Sequence, residues 1–200
     1  MTTSFTPPSD GAILAKTVLW LERAVIGLNL CPFAKGVHVK GQVHYRISHA
    51  TQLQEVMQVV EEELLALQAS DPSERDTTLL IVPDCCPEFL DFNDLTQDAD
   101  SVLYNLGLEG ILQIASFHPL FQFAGTDADD ITNFTNRGPY AMLHLLREDS
   151  IARAVEAFPD AEQIYEKNMQ TLEALGHEGW AEIGLGSDVP QSAKCPQEKP

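Results

Sequence analysis

Lysine and arginine are scarce in this sequence of 200 residues: 12 stand against 30 aspartates and glutamates, a net charge of −18 at pH 7. Proteins hold nucleic acid mainly by neutralising phosphates, so nucleic acid is not an expected partner. No apolar run approaches the ~18 residues of a membrane span. Met1 to Gly11 also lacks the basic start and apolar stretch of a secretory leader, so a membrane is not an expected partner either. The four cysteines, Cys31, Cys85, Cys86 and Cys195, form neither a dense disulfide framework nor repeated Cys-x-x-Cys pairs. That usage fits a reducing, cytoplasmic compartment. Phosphate loops of the Walker type, Gly-x-Gly-x-x-Gly and the Gly-x-Ser-x-Gly nucleophile elbow are all missing, and no particular cofactor is implied.

What is present reads as a globular chain, 44% apolar and 21% charged. Its acidity is uneven. Residues 1–50 carry Lys16, Arg23, Lys35, Lys40 and Arg46 against Asp10 and Glu22 alone, so a basic zone sits at the start of an acidic chain. A small anionic molecule is the partner such a zone suits.

Periodicity orders the elements. Leu14, Val18, Leu21, Val25 and Leu28 predict an amphipathic helix over about Gly11 to Leu28, capped by Ser9 or Asp10. Val43, Tyr45 and Ile47 alternate with polar residues as in a half-buried strand. Thr51 and Gln54 make a capping-box pattern before a helix with the stripe Leu53, Val56, Met57, Val60, Leu64 and Leu67, whose run Glu61 to Glu63 reads as a solvated face. Thr77 to Val82 reads as a central strand, and Phe92, Leu95, Ala99, Val102 and Leu106 as the stripe of another helix. A third strand is expected from Ile111 to Phe117. Tyr140 to Leu146 suits a strand or a helix, and helices are expected over 151–157 and from an Asp160 cap to near Gly176.

Two successive βαβ units follow from this order. The expected fold is α/β: a small, mostly parallel sheet of three or four strands with helices packed on it, an extra N-terminal helix and C-terminal helices. One domain is expected over residues 11–183, between a disordered lead-in (1–10) and a disordered tail (184–200).

Ligands of such sheets bind beyond the carboxyl ends of the strands. His49, then Asp84, Cys85 and Cys86, then His118 follow the three strands and fall on one rim. From His118 to Pro139 runs a loop of 22 residues rich in aromatic and polar groups. Loops beyond ~12–15 residues are uncommon in compact domains unless functional or disordered. Within it, Arg137 is the strongest anion ligand, through its planar guanidinium, unless it pairs with Asp127, Asp129 or Asp130. Those aspartates lack the glycine and glutamate of a calcium loop. Phe121, Gln122 and Asn136 are the neighbouring ligand candidates. His118, fixed at a strand end before Pro119, suits a general base or a metal ligand, or a hydrogen-bonded structural role. His144 reads as structural.

Cys31 has two readings. At the end of the first helix, the dipole raises its pKa and leaves it inert. If Pro32 opens a new turn, backbone N–H groups and Lys35 stabilise its thiolate. A redox role would require Cys85 or Cys86 to approach it. Cys85 and Cys86 themselves read as packing at a strand end, since adjacent thiolates do not easily share one metal ion.

Three segments carry a family resemblance: Leu28 to Val37 around Cys31-Pro32-Phe33, Phe117 to Gly125 around His118-Pro119 and Phe121-Gln122-Phe123, and Asp130 to Glu148 around Asn136-Arg137 and Leu143-His144-Leu145-Leu146-Arg147-Glu148. Over about residues 12–176 the chain resembles the bacterial and plant proteins of domain of unknown function family 1415. It departs from their pattern at Gly138, where serine is common, and at Ala141, where proline is common. The resemblance implies no reaction.

Three functional readings follow. The first is a thiol-dependent enzyme acting on a small anionic metabolite, with Cys31 as nucleophile or redox group, His118 as acid or base and Arg137 as anion clamp. The second is a non-enzymatic small-anion-binding protein built on Arg137 and the Phe121 loop. The third is a metal site of Cys31, His118 and perhaps Cys85 or an aspartate, suited to zinc or iron.

Overall fold

The structure is a computed structural model and describes residues 7–156 and 163–185. The expectations for residues 1–6, for the Asp160 cap and for the tail from residue 186 lie outside the described residues.

Helix α1 (Asp10–Trp20) begins at Ser9, whose hydroxyl accepts the Ala12 N–H. It continues into a π-helical stretch, Leu21–Ile26, with wide-turn bonds such as Leu30 N–H to the Val25 carbonyl (2.9 Å). The buried stripe is Ile13, Thr17, Trp20, Leu21, Ala24 and Val25, while Leu14 is exposed. The sequence carries two adjacent stripes, and the one holding Trp20 won because the large indole covers the sheet. A short helix α2 (Ala34–Val39) follows, then β1 (Val43–Ile47), α3 (Leu53–Ala69), β2 (Thr77–Ile81), α4 (Phe89–Asn105) and β3 (Leu112–Phe117). After the loop and a 3-10 turn (Ile131–Thr135) come β4 (Met142–Arg147), α5 (Glu148–Glu156) and α6 (Ile164–Glu182), kinked at Gly176.

Two local expectations fail. Gln52, not Thr51, takes the N-cap position of α3, without a side-chain cap. Glu63 is buried rather than solvated, because Arg75 reaches it from the β2 approach at 2.5 Å.

The fold is mixed α/β with a four-stranded sheet in the order β1-β2-β4-β3. It is not mostly parallel. Only β1 and β2 pair in parallel; β4 runs antiparallel to both β2 and β3. The β2-α4-β3 crossover leaves a gap one strand wide, and β4 enters it from the far end of the long loop. With Leu143 and Leu145 on one face and Met142 and Leu146 on the other, β4 has the two-sided apolar character of a central strand.

One sheet face is closed. Helices α3 and α4 pack there on Leu80, Leu112, Leu143 and Leu145 around Val60, Leu64, Phe92 and Leu95. The other face shows three rows of side chains set by the register: Ile47-Ile81-Met142-Phe117, then Tyr45-Leu79-His144-Ala115, then Val43-Thr77-Leu146-Gln113. Helix α1 and the π-helical stretch cover the first row, with the Trp20 and Phe117 rings edge to face at 4.9 Å.

Candidate functional site

Beyond that cover the second face is not filled. A cavity of about 690 Å³ opens over the other two rows, floored by Leu79, Ala115, His144 and Leu146 and walled by α2 and by Ile151 and Ala154 of α5. Binding sites for small organic ligands typically run to ~300–1,000 Å³, mostly apolar with a few placed polar groups. The charged residues of this wall are Lys40, Arg147 and Asp76. Asp76 accepts the Ser150 hydroxyl at 2.5 Å, and the wall carries two positive charges against its one negative charge.

His144 stands mid-sheet between Leu79 and Ala115. The Thr77 hydroxyl gives its one proton to the Leu145 carbonyl (2.7 Å), so it accepts from His144 Nε2–H (2.6 Å). His144 is therefore the Nε2–H tautomer, and its Nδ1 is an acceptor with no hydrogen bond among the described residues. Burial pushes the His144 pKa down to about 4, so the ring is neutral at physiological pH.

Arg147 ends β4 and turns its Nη2 group to the carbonyls of Leu67 and Ser70, the negative end of α3. Its Nε–H is buried without a partner, and no carboxylate lies within ion-pair distance among the described residues. An unmade hydrogen bond of that kind costs ~1–3 kcal/mol, and the guanidinium is turned toward α3, on the Leu143 and Leu145 side of the sheet.

Cys31 is on the same wall. Both of its expected influences operate: the backbone N–H groups of Phe33 and Ala34 lower its pKa, and burial raises it. Burial dominates, and the thiol keeps its proton. Lys35 is exposed and outside the cavity lining.

The other expected site residues lie elsewhere. The rim itself is real: His49 bonds Asp84 (2.5 Å) and Asp10 (2.7 Å), while His118 bonds the Cys86 carbonyl (3.0 Å). His118 is 1% exposed and lies on the α4 side of the sheet, stacked on Phe92. Its Nδ1 accepts the Leu120 N–H (3.1 Å), so its Nε2–H is the donor to Cys86 and both ring nitrogens are used. Burial lowers its pKa, and the Arg137 charge adds to this. Thus His118 and Arg137 are brought together, and Cys31 is on the opposite face.

Arg137 forms no ion pair with Asp127, Asp129 or Asp130. It donates to the carbonyls of Phe121 (3.1 Å) and Ala128 (2.5 Å) and lies 4.5 Å from the Phe134 ring centre. Asn136 donates to the Ser116 carbonyl and Gln122 to the Thr126 carbonyl. Phe121 packs between Phe89 and Phe123. These side chains hold the long loop in shape.

The family described as protein of unknown function (DUF1415) matches residues 12–182. The chain belongs to the DUF1415 family. No curated protein and no solved structure matches it. In this DUF1415 chain, the first resembling segment supplies the Cys31 wall, and the last supplies His144 and Arg147. Gly138 abuts Met142: a Cβ there would lie 2.5 Å from the Met142 methyl and 3.2 Å from Phe117 Cβ, so a serine at this turn requires the methionine tip to move.

Sequence reasoning missed Thr77, Gln113, Lys40 and Arg147, and set His144 aside. One signal was available: His144 and Arg147 interrupt a strand that is otherwise apolar on both faces. Among the described residues no group of three or more His, Cys, Asp or Glu side chains is arranged to hold a metal ion.

Proposed function

We propose that this protein binds a small amphipathic organic anion, apolar in its body and acidic at one end, in the cavity over the β1-β2-β4-β3 face. The observation that carries the reading is the unfilled apolar cavity whose floor presents His144, bonded through Nε2 alone, beside a wall that includes Lys40 and Arg147. The apolar body lies along Leu79, Ala115 and Leu146, and the acidic end is drawn toward Arg147 and Lys40. Thiol chemistry has less support. Cys31 keeps its proton, and His118 is neither on its face nor equipped with a spare nitrogen. In this reading Cys31 packs against the ligand.

Anilinonaphthalene sulfonate, an apolar anion that fluoresces when desolvated, is the probe. Native protein is expected to bind it at one saturable site and to release it to decanoate. Ala115→Trp places an indole in the cavity from an open position on its floor, and should weaken binding at least about tenfold, or ~1.4 kcal/mol, with circular dichroism unchanged. Decanoate at ~100 times its dissociation constant should stabilise the wild type by about 2.7 kcal/mol and the variant much less. Equal binding by wild type and Ala115→Trp would remove the cavity from consideration.

A further inference from the structure

The turn after β2 holds a second feature that the cavity does not use. Cys85 and Cys86 are adjacent, and in an extended chain adjacent side chains point to opposite sides. Here they do not: the two sulfurs lie 3.1 Å apart. The cause is Cys86, which sits at φ +50°, in the left-handed region that a residue with a Cβ seldom occupies. In that conformation the two thiols meet.

The turn is also held in place. The Cys85 N–H bonds the Val82 carbonyl (3.3 Å), and His118 Nε2–H donates to the Cys86 carbonyl. Cys85 is buried in the core cluster on the α4 face, while Cys86 is partly exposed. One sulfur is therefore within reach of a small reagent and the other waits behind it.

We propose that Cys85 and Cys86 form a redox site that closes into a ring disulfide by exchange with a low-molecular-weight disulfide. The Cys86 sulfur attacks one sulfur of the reagent, forming a mixed disulfide and expelling one thiol. The Cys85 sulfur then attacks Cys86, expelling the second thiol. Two electrons and two protons pass from the protein to the reagent, which leaves as two thiol molecules. Burial and the bond to Cys85 push the Cys86 pKa up to about 12, so the reaction is slow at neutral pH.

A trans peptide sets the two Cα atoms about 3.8 Å apart, below the ~4.4–6.8 Å of ordinary disulfides. The ring is therefore strained and readily reduced, which suits a reversible switch rather than a staple. Because His118 grips the Cys86 carbonyl, closing the ring also bears on the start of the long loop.

The test equilibrates the full chain with graded ratios of oxidised to reduced glutathione, quenches in acid, alkylates with N-ethylmaleimide and digests with trypsin. The peptide from Asp76 to Arg137 carries both cysteines and no other. At high ratios it should appear two hydrogens lighter, without label or glutathione, and dithiothreitol should restore it. In Cys85→Ser the same treatment should leave a stable glutathione adduct on Cys86. A wild-type peptide that stays fully alkylated across the series, ends as a stable glutathione adduct, or crosslinks to Cys31 overturns the proposal.

Discussion

Asn133→Ala should lower the unfolding free energy by about 3 kcal/mol and expose the His118–Pro139 loop to protease. Asn133 is completely buried in that loop. Its Oδ1 accepts from the Phe123 N–H (2.9 Å) and the Thr126 hydroxyl (2.8 Å), and its Nδ2 donates to the Asp127 carbonyl (2.9 Å). The side chain thus satisfies polar groups from three points of one loop, as a stretch of regular structure would. Truncation leaves these half-buried groups without their partner, at ~1–3 kcal/mol for each group that water cannot reach. Urea midpoints and the rate of limited proteolysis check this. A loss under about 1 kcal/mol, with unchanged cleavage, would mean that Arg137, Asn136 and the phenylalanines hold the loop without it.

The second large effect is one of pH. His144 titrates at about 4 in the fold against 6.5 for an unperturbed ring. The unfolded chain therefore takes up the proton first. The stability this neutral ring contributes is complete above pH 6.5, falls as the pH drops toward 4, and levels off below. The span corresponds to about 3 kcal/mol. Relative to His144→Gln, the wild type should lose about that much between pH 6.5 and 4, while shared carboxylate titrations cancel in the comparison. Parallel curves for the two proteins would mean that the ring is better hydrated than its place on the sheet implies. A saturating anion should shrink the difference, because a negative charge in the cavity favours the protonated ring.

The two predictions touch the parts of the chain that were least legible. The long loop was recognisable from its length and composition, and its polar residues stood out by type as ligand candidates. Their type, however, does not reveal their partner. A guanidinium that clamps an anion and one that binds two backbone carbonyls look the same in a sequence, and Arg137 does the latter. The same holds for His118, where Leu120 and Cys86 occupy both nitrogens. For Cys31 the opposing influences were both foreseeable, but their balance depends on how much chain covers the thiol.

The helix and strand positions are a different matter. Val43, Tyr45 and Ile47, the Val56 to Leu67 stripe and the unbroken apolar run of β2 stand where their spacing placed them, because periods of two and 3.6 are properties of neighbouring residues. The amino-acid sequence by itself therefore determined the order α1, β1, α3, β2, α4, β3, the shared rim at the ends of those three strands, and membership of the DUF1415 family. Only the tertiary structure decided that β4 enters antiparallel between β2 and β3. That insertion sets His144 over the middle of the sheet, where two rows of the second face border the cavity. Strand pairing joins residues far apart in the chain, such as Leu79 and Ala115 to His144, through backbone bonds indifferent to side-chain identity. No local pattern records which gap a strand fills, or which face is left uncovered.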